Sequence, residues 1–242
     1  MIKRILPFIT GSLLLFLSAT AQPNKKASGF FHKGIEFKNQ NKLPEAMTAF
    51  KNAIALKKNY DSAYAELGYL FVKFGMYDSA IINFKKALSL NPNLLETHLA
   101  FGDIYRNYKP NLDSAIMCFM NACKIDSLNK VTLYQIAWCY NSKQVYEKAI
   151  YYAVKALDLD NTYRPAYSEL AHAYHLSKKY AEGLEQFKKN IAISPVDLPY
   201  LYSGFIYTEL NQKEDALKMY ESLEKLNPKM AASLKKKIDA MK

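Results

Sequence analysis

Asp61 to Leu94 reads DSAYAELGYLFVKFGMYDSAIINFKKALSLNPNL, and this stretch decides the fold. Tyr64, Leu67, Leu70 and Phe71 follow the three-and-four spacing of one helical face. Gly75 breaks that pattern, and Tyr77-Asp78-Ser79 opens a second helix. Asp78 falls in its first turn, where negative charge suits the helix dipole. Ala80, Ile81, Phe84, Ala87 and Leu88 form its inner side. Asn91-Pro92 then ends it, because the residue before a proline avoids helical geometry.

The same plan recurs along the chain. A small residue opens each second helix: Ala46, Ala80, Ala115, Ala149, Gly183 and Ala216, at spacings of 34, 35, 34, 34 and 33 residues. Another small residue marks each first helix: Gly34, Gly68, Gly102, Ala137, Ala171 and Gly204. An aromatic follows three residues later: Phe37, Phe71, Tyr105, Tyr140, Tyr174 and Tyr207. Small residues let paired helices cross closely, and aromatics fill the layer between neighbouring repeats. Helical periodicity alone has no such long period, so three aligned columns specify a repeat array.

Tyr64, Leu67-Gly68, Phe71, Ala80, Phe84 and Pro92 match the pattern W-x2-L-G-x2-Y, A-x3-F, P. The chain therefore resembles the tetratricopeptide repeat family. The resemblance implies an all-α fold, a right-handed α-α superhelical solenoid of six helix pairs plus a C-terminal capping helix. The repeats are expected at 27–60, 61–94, 95–129, 130–163, 164–196 and 197–230. Repeat three has one extra residue, placed in the turn around Pro110. Lys33 and Lys58 depart from the pattern in repeat one, which suits a terminal repeat facing water. Residues 231–242 are expected to cap the stack, with Met230, Leu234, Ile238 and Met241 inward and Lys235 to Lys237 facing away.

The first 21 residues stand apart. Lys3 and Arg4 give a positive start, Ile5 to Leu17 is mostly apolar, and Ala19-Thr20-Ala21 has the form of a cleavage site. That is the pattern of a secretory signal peptide, followed by a short polar lead at 22–26. The apolar run is short for a membrane span. The expected product starts at Gln22 and is periplasmic or secreted, with no integral membrane segment after cleavage.

Loss of Lys3 and Arg4 lowers the formal charge from +11 to +9. The lysine pairs Lys85-Lys86 and Lys188-Lys189 sit opposite the apolar stripe of their helices. They lack the interleaved aromatics of a nucleic-acid surface, so no nucleic-acid partner is expected. Cys118, Cys123 and Cys139 include no close pair, which argues against thiol-redox chemistry. For Cys123 and Cys139 both a disulfide and buried thiols stay open. No G-x-S-x-G, H-E-x-x-H or P-loop pattern occurs, so neither an enzyme nor a cofactor is expected.

The resemblance further implies a groove lined by the first helices. Carried onto this sequence, its positions are Phe31, Ile35, Tyr69, Lys73, Leu99, Asp103, Arg106, Tyr134, Trp138, His172, His175, Leu201 and Phe205. Trp, Tyr and Arg are the usual anchors of an interface. The family's chaperone-tail clamp needs Lys and Asn where Phe31, Ile35 and Tyr69 stand, so that ligand is not expected. Glu169, His172 and His175 share a helix face and read as a polar patch rather than a metal site. The expected function is a scaffold or adaptor holding a peptide or protein segment. The alternative is a carbohydrate- or cell-wall-binding module stacking sugars on Tyr69, Tyr134 and Trp138. Self-association stays open.

Overall fold

A computed structural model describes the backbone of residues 10–241 and the side chains of residues 24–241. The expected leader therefore lies outside the described residues over 1–9, and outside the described side chains over 10–21. Thirteen helices occur among the described residues. They are α1 (Thr10–Asn39), α2 (Leu43–Leu56), α3 (Asp61–Lys73), α4 (Tyr77–Leu90), α5 (Leu95–Asn107), α6 (Leu112–Ile125) and α7 (Lys130–Ser142). Then follow α8 (Tyr146–Leu159), α9 (Arg164–Ser177), α10 (Tyr180–Ile193), α11 (Asp197–Glu209), α12 (Lys213–Leu226) and α13 (Pro228–Asp239). The fold class is all-α. Residues 22–26, expected as a separate lead, belong to α1. Among the described residues no helix is long and apolar enough to cross a membrane.

The chain divides into two compact units, 1–104 and 105–242. In the first unit α1 packs on α2 and α3 on α4. Ala46, Phe50, Leu70, Ala80 and Phe84 are fully buried. The glycine column has a definite steric cause. A Cβ on Gly34 would lie 2.6 Å from the Phe50 ring, and one on Gly68 would lie 2.5 Å from the Phe84 ring. The space left by each glycine is thus filled by the aromatic of its own repeat's second helix. Between repeats, Lys38 pairs with Glu66 at 2.6 Å, and the Asn91 amide donates to the Asp61 carboxylate at 2.9 Å.

In the second unit one core runs through α7 to α13, from Leu133 and Ala137 through Tyr167, Leu170 and Phe187 to Leu223, Leu234 and Ile238. The capping helix begins at Pro228, behind an Asn227 cap whose side chain accepts from the Met230 N–H. Proline suits a first helical position, where its missing donor costs nothing. Ala231, Leu234 and Ile238 are its buried stripe, while Met230 and Met241 are half-buried. Leu234 takes the place of the ring at Gly204, where a Cβ would lie 2.4 Å from it.

The turn inside each repeat is closed by the column of aromatics. The carbonyls of Phe37, Phe71, Tyr140, Tyr174 and Tyr207 accept from the N–H five residues on, at Lys42, Met76, Val145, Lys179 and Gln212. The intervening residue is left-handed in each: Asn41, Gly75, Gln144, Lys178 and Asn211. This is the Schellman ending of a helix. In repeat three Tyr105 accepts from Asn111 instead, one residue later, across the longer linker 108–111. The extra residue and Pro110 lie there. The one-residue deficit of repeat five lies in its shorter linker 194–196.

Candidate binding cleft

The groove residues expected from sequence fall in both units. In the first, Phe31 is half-buried, its ring 5.0 Å from that of Tyr60 and 5.6 Å from that of Phe50. Tyr69 sets its hydroxyl 3.1 Å from that of Thr97 and its ring edge-on to Phe84. Ile35 and Asp103 are half-buried, and Lys73 is exposed.

In the second unit one of the expected groove residues is buried instead. Leu201 is 7% exposed and belongs to the core, which corrects its assignment to the groove. Tyr134 is half-buried and packs edge-to-face on Tyr163 at 6.0 Å. Trp138 is half-buried under the Arg106 guanidinium, 5.5 Å from the ring centroid. Beside them the buried Asn141 amide donates to the Glu169 backbone carbonyl at 2.8 Å and to its carboxylate at 2.9 Å. Burial pushes the Glu169 carboxyl above its ordinary value, against that hydrogen bond and the charges of His172 and Arg106.

His172, His175 and Phe205 do come together. They line a cleft of ≈ 290 Å³ between α9, α11 and α13. Ala171, Phe205 and Ile206 supply its apolar surface. Ser168 and Tyr202 add a hydroxyl pair 3.2 Å apart. The Lys237 ammonium lies 4.7 Å from the Phe205 centroid and 3.8 Å from the Glu209 carboxylate. Lys237 therefore does not face away, as expected, but borders the cleft. Its pairing with Glu209 is half-exposed and correspondingly weak. An apolar cleft with a few placed polar groups is the ordinary form of a recognition site. No disulfide joins Cys118, Cys123 and Cys139 among the described residues.

Models of the tetratricopeptide repeat match residues 61–94 and 200–229, and a related TPR repeat model matches 34–75. The chain is a tetratricopeptide-repeat protein. Its fold is shared by the C-terminal part of a TPR repeat-containing protein from Cytophaga hutchinsonii. That likeness has a TM-score of 0.70 at 19% identity, covering 96% of this chain and 93% of that one. YrrB, described as a TPR protein with an unusual peptide-binding site, matches at a TM-score of 0.58 and 17% identity, covering 91% and 97%. Anaphase-promoting complex subunit 3 of Schizosaccharomyces pombe is 24% identical over 204 residues, 84% of this chain and 30% of that protein. The chain spans less than two thirds of the curated relatives it matches first, 30% and 64% of their lengths.

Sequence reasoning missed four polar residues of this repeat protein's cleft, Ser168, Tyr202, Glu209 and Lys237, and the apolar Ala171 and Ile206. Ser168, His172 and His175 share a helical face by spacing, so Ser168 carried a signal. Lys237 carried none, since its position follows from how α13 packs on α11.

Proposed function

We propose that this protein is a non-enzymatic scaffold or adaptor that holds a peptide or protein segment on the first-helix side of its second unit. The observation that carries this is the cleft itself, where His172, His175 and Phe205 converge on an apolar floor. Flexible segments bind such sites by seating one large side chain while polar groups fix orientation. The peptide-binding site of YrrB, a protein of the same fold, is in keeping with this reading. Panning a random peptide display library on the folded protein tests it. Enriched peptides should lose binding to a Phe205→Ala variant and keep it on Phe31→Ala. Failure to enrich, or enrichment indifferent to Phe205, contradicts the proposal.

A sugar-stacking role for Tyr69, Tyr134 and Trp138 has less support. Tyr69 and Tyr134 are edge-packed on other rings, and one face of Trp138 carries Arg106. A glycan array on the same protein is the matching control.

The positive start, apolar run and Ala19-Thr20-Ala21 ending support export of the protein to the periplasm or medium. Mass spectrometry of exported material should find Gln22 at the amino terminus. Retention of residues 1–21 on that material contradicts this.

A further inference from the structure

Two residues past the small residue of each second helix stands a side chain that points outward. These are Thr48, Ile82, Met117, Tyr151, Glu185 and Lys218, and all six are exposed. A position that is exposed in every repeat has no packing reason to be apolar. Yet Ile82 is 68% exposed, Met117 58% and Tyr151 53%. Three residues further on, Lys51, Lys85, Lys188 and Glu221 are exposed and charged, whereas α6 places Met120 there and α8 the half-buried Val154. Exposed apolar groups clustered against the repeat's own pattern mark an interaction surface.

Met120 borders a groove of ≈ 250 Å³ between α6 and α8, away from the cleft of α9, α11 and α13. Leu133 and Ile136 of α7 line it as buried core residues, and Cys123 and Tyr152 add apolar surface. Its charged lining is Lys124 and Lys155, and no carboxylate lines it among the described residues. Lys124 reaches only the Asn121 amide oxygen, at 3.1 Å, and Lys155 lies over the Tyr151 ring, 4.7 Å from the centroid. The acids nearest in sequence are Asp126, which accepts from the Leu128 N–H, and the exposed Asp158, three residues beyond Lys155 on α8.

We propose that this groove docks an acidic amphipathic segment of a partner protein. Apolar side chains of the segment lie against Met120, Cys123 and Tyr152, and its carboxylates meet Lys124 and Lys155. Methionine suits such a surface because its unbranched side chain adapts to different shapes. The opposite charge sets which partners are accepted.

Two designed helical peptides test this, with the same leucine face but glutamate or lysine on the other side. Binding is read by fluorescence anisotropy, and its place by the methyl resonances of Met117 and Met120. The glutamate peptide should shift Met120 and bind about tenfold tighter than the lysine peptide, as expected of a charge-selected interface. The exposed double variant Lys124→Glu/Lys155→Glu should reverse that order. Equal binding of the two peptides, an unmoved Met120, or a glutamate peptide displaced to Phe205 overturns the proposal. So does a concentration-dependent dimer in sedimentation that Met120→Glu abolishes, since a second copy would then be the occupant.

Discussion

The Arg106 guanidinium lies over the face of Trp138, 5.5 Å from the ring centroid. Both side chains belong to the second unit, Arg106 at the end of α5 and Trp138 on α7. A cation over an indole face is worth about 0.5–2 kcal/mol, depending on how far it is desolvated. A double-mutant cycle on Arg106→Ala and Trp138→Ala should return a coupling in that range. Trp138→Ala alone should destabilise less than Phe84→Ala, since Phe84 is fully buried and its loss costs about 3–5 kcal/mol. Equal losses would make Trp138 a core residue.

Gly68 and Gly29 should respond in opposite ways to alanine. A Cβ at Gly68 meets the Phe84 ring at 2.5 Å, whereas one at Gly29 meets nothing within 4 Å. Gly68→Ala should destabilise by about 1–3 kcal/mol through overpacking. Gly29→Ala should stabilise by up to about 1 kcal/mol, the helix propensity difference. Denaturant unfolding of both variants reads the contrast.

The turns offer a second paired test. Lys178 is held at φ 57° and ψ 24°, a left-handed backbone that costs a residue with a Cβ about 1–2 kcal/mol. Lys178→Gly should raise stability modestly, because part of that gain is lost to glycine's unfolded freedom. Gly75→Ala, at φ 69°, should lower it by about 1 kcal/mol. Thermal melts of the two variants should shift in opposite directions.

Much of this architecture was legible in the sequence, and the reason is steric. Ala80 and Gly68 must be small in every repeat, so the columns survive as pattern. The fit of Phe84 against Gly68 completes the same logic within one helix pair. The left-handed turns were less visible, since Gln144 and Lys178 carry no glycine signal and are placed by the hydrogen bonds that close each turn. Leu201 could not be told from a groove residue by position alone, because α11 turns it into the core. Local periodicity makes Lys237 solvent-facing, because the packing of α13 on α11 leaves no trace in it.

Glu169 makes the stability of the fold depend on pH. Burial raises its carboxyl above the ordinary 4.5, so the folded state binds its proton more readily than the unfolded chain does. Its contribution is fully present below the unfolded value and is lost as pH rises through the raised one. Glu169→Gln keeps an acceptor for Asn141 and removes that loss. The variant should be more stable than the parent at neutral pH, with the difference shrinking in acid. A difference that stays constant with pH would contradict the linkage.

The central claim, a peptide segment held between α9 and α11, is tested most directly by titration calorimetry. A display-selected peptide is measured against the parent protein and Phe205→Ala, with thermal melts of the same samples and of Phe187→Ala. Phe205 is half-buried, and Phe187 is fully buried in the core beneath. Phe205→Ala should weaken the peptide by about 2 kcal/mol or more, the scale of an interface anchor. It should also melt well above Phe187→Ala. Unchanged peptide affinity, or a melt as low as that of Phe187→Ala, would contradict the account.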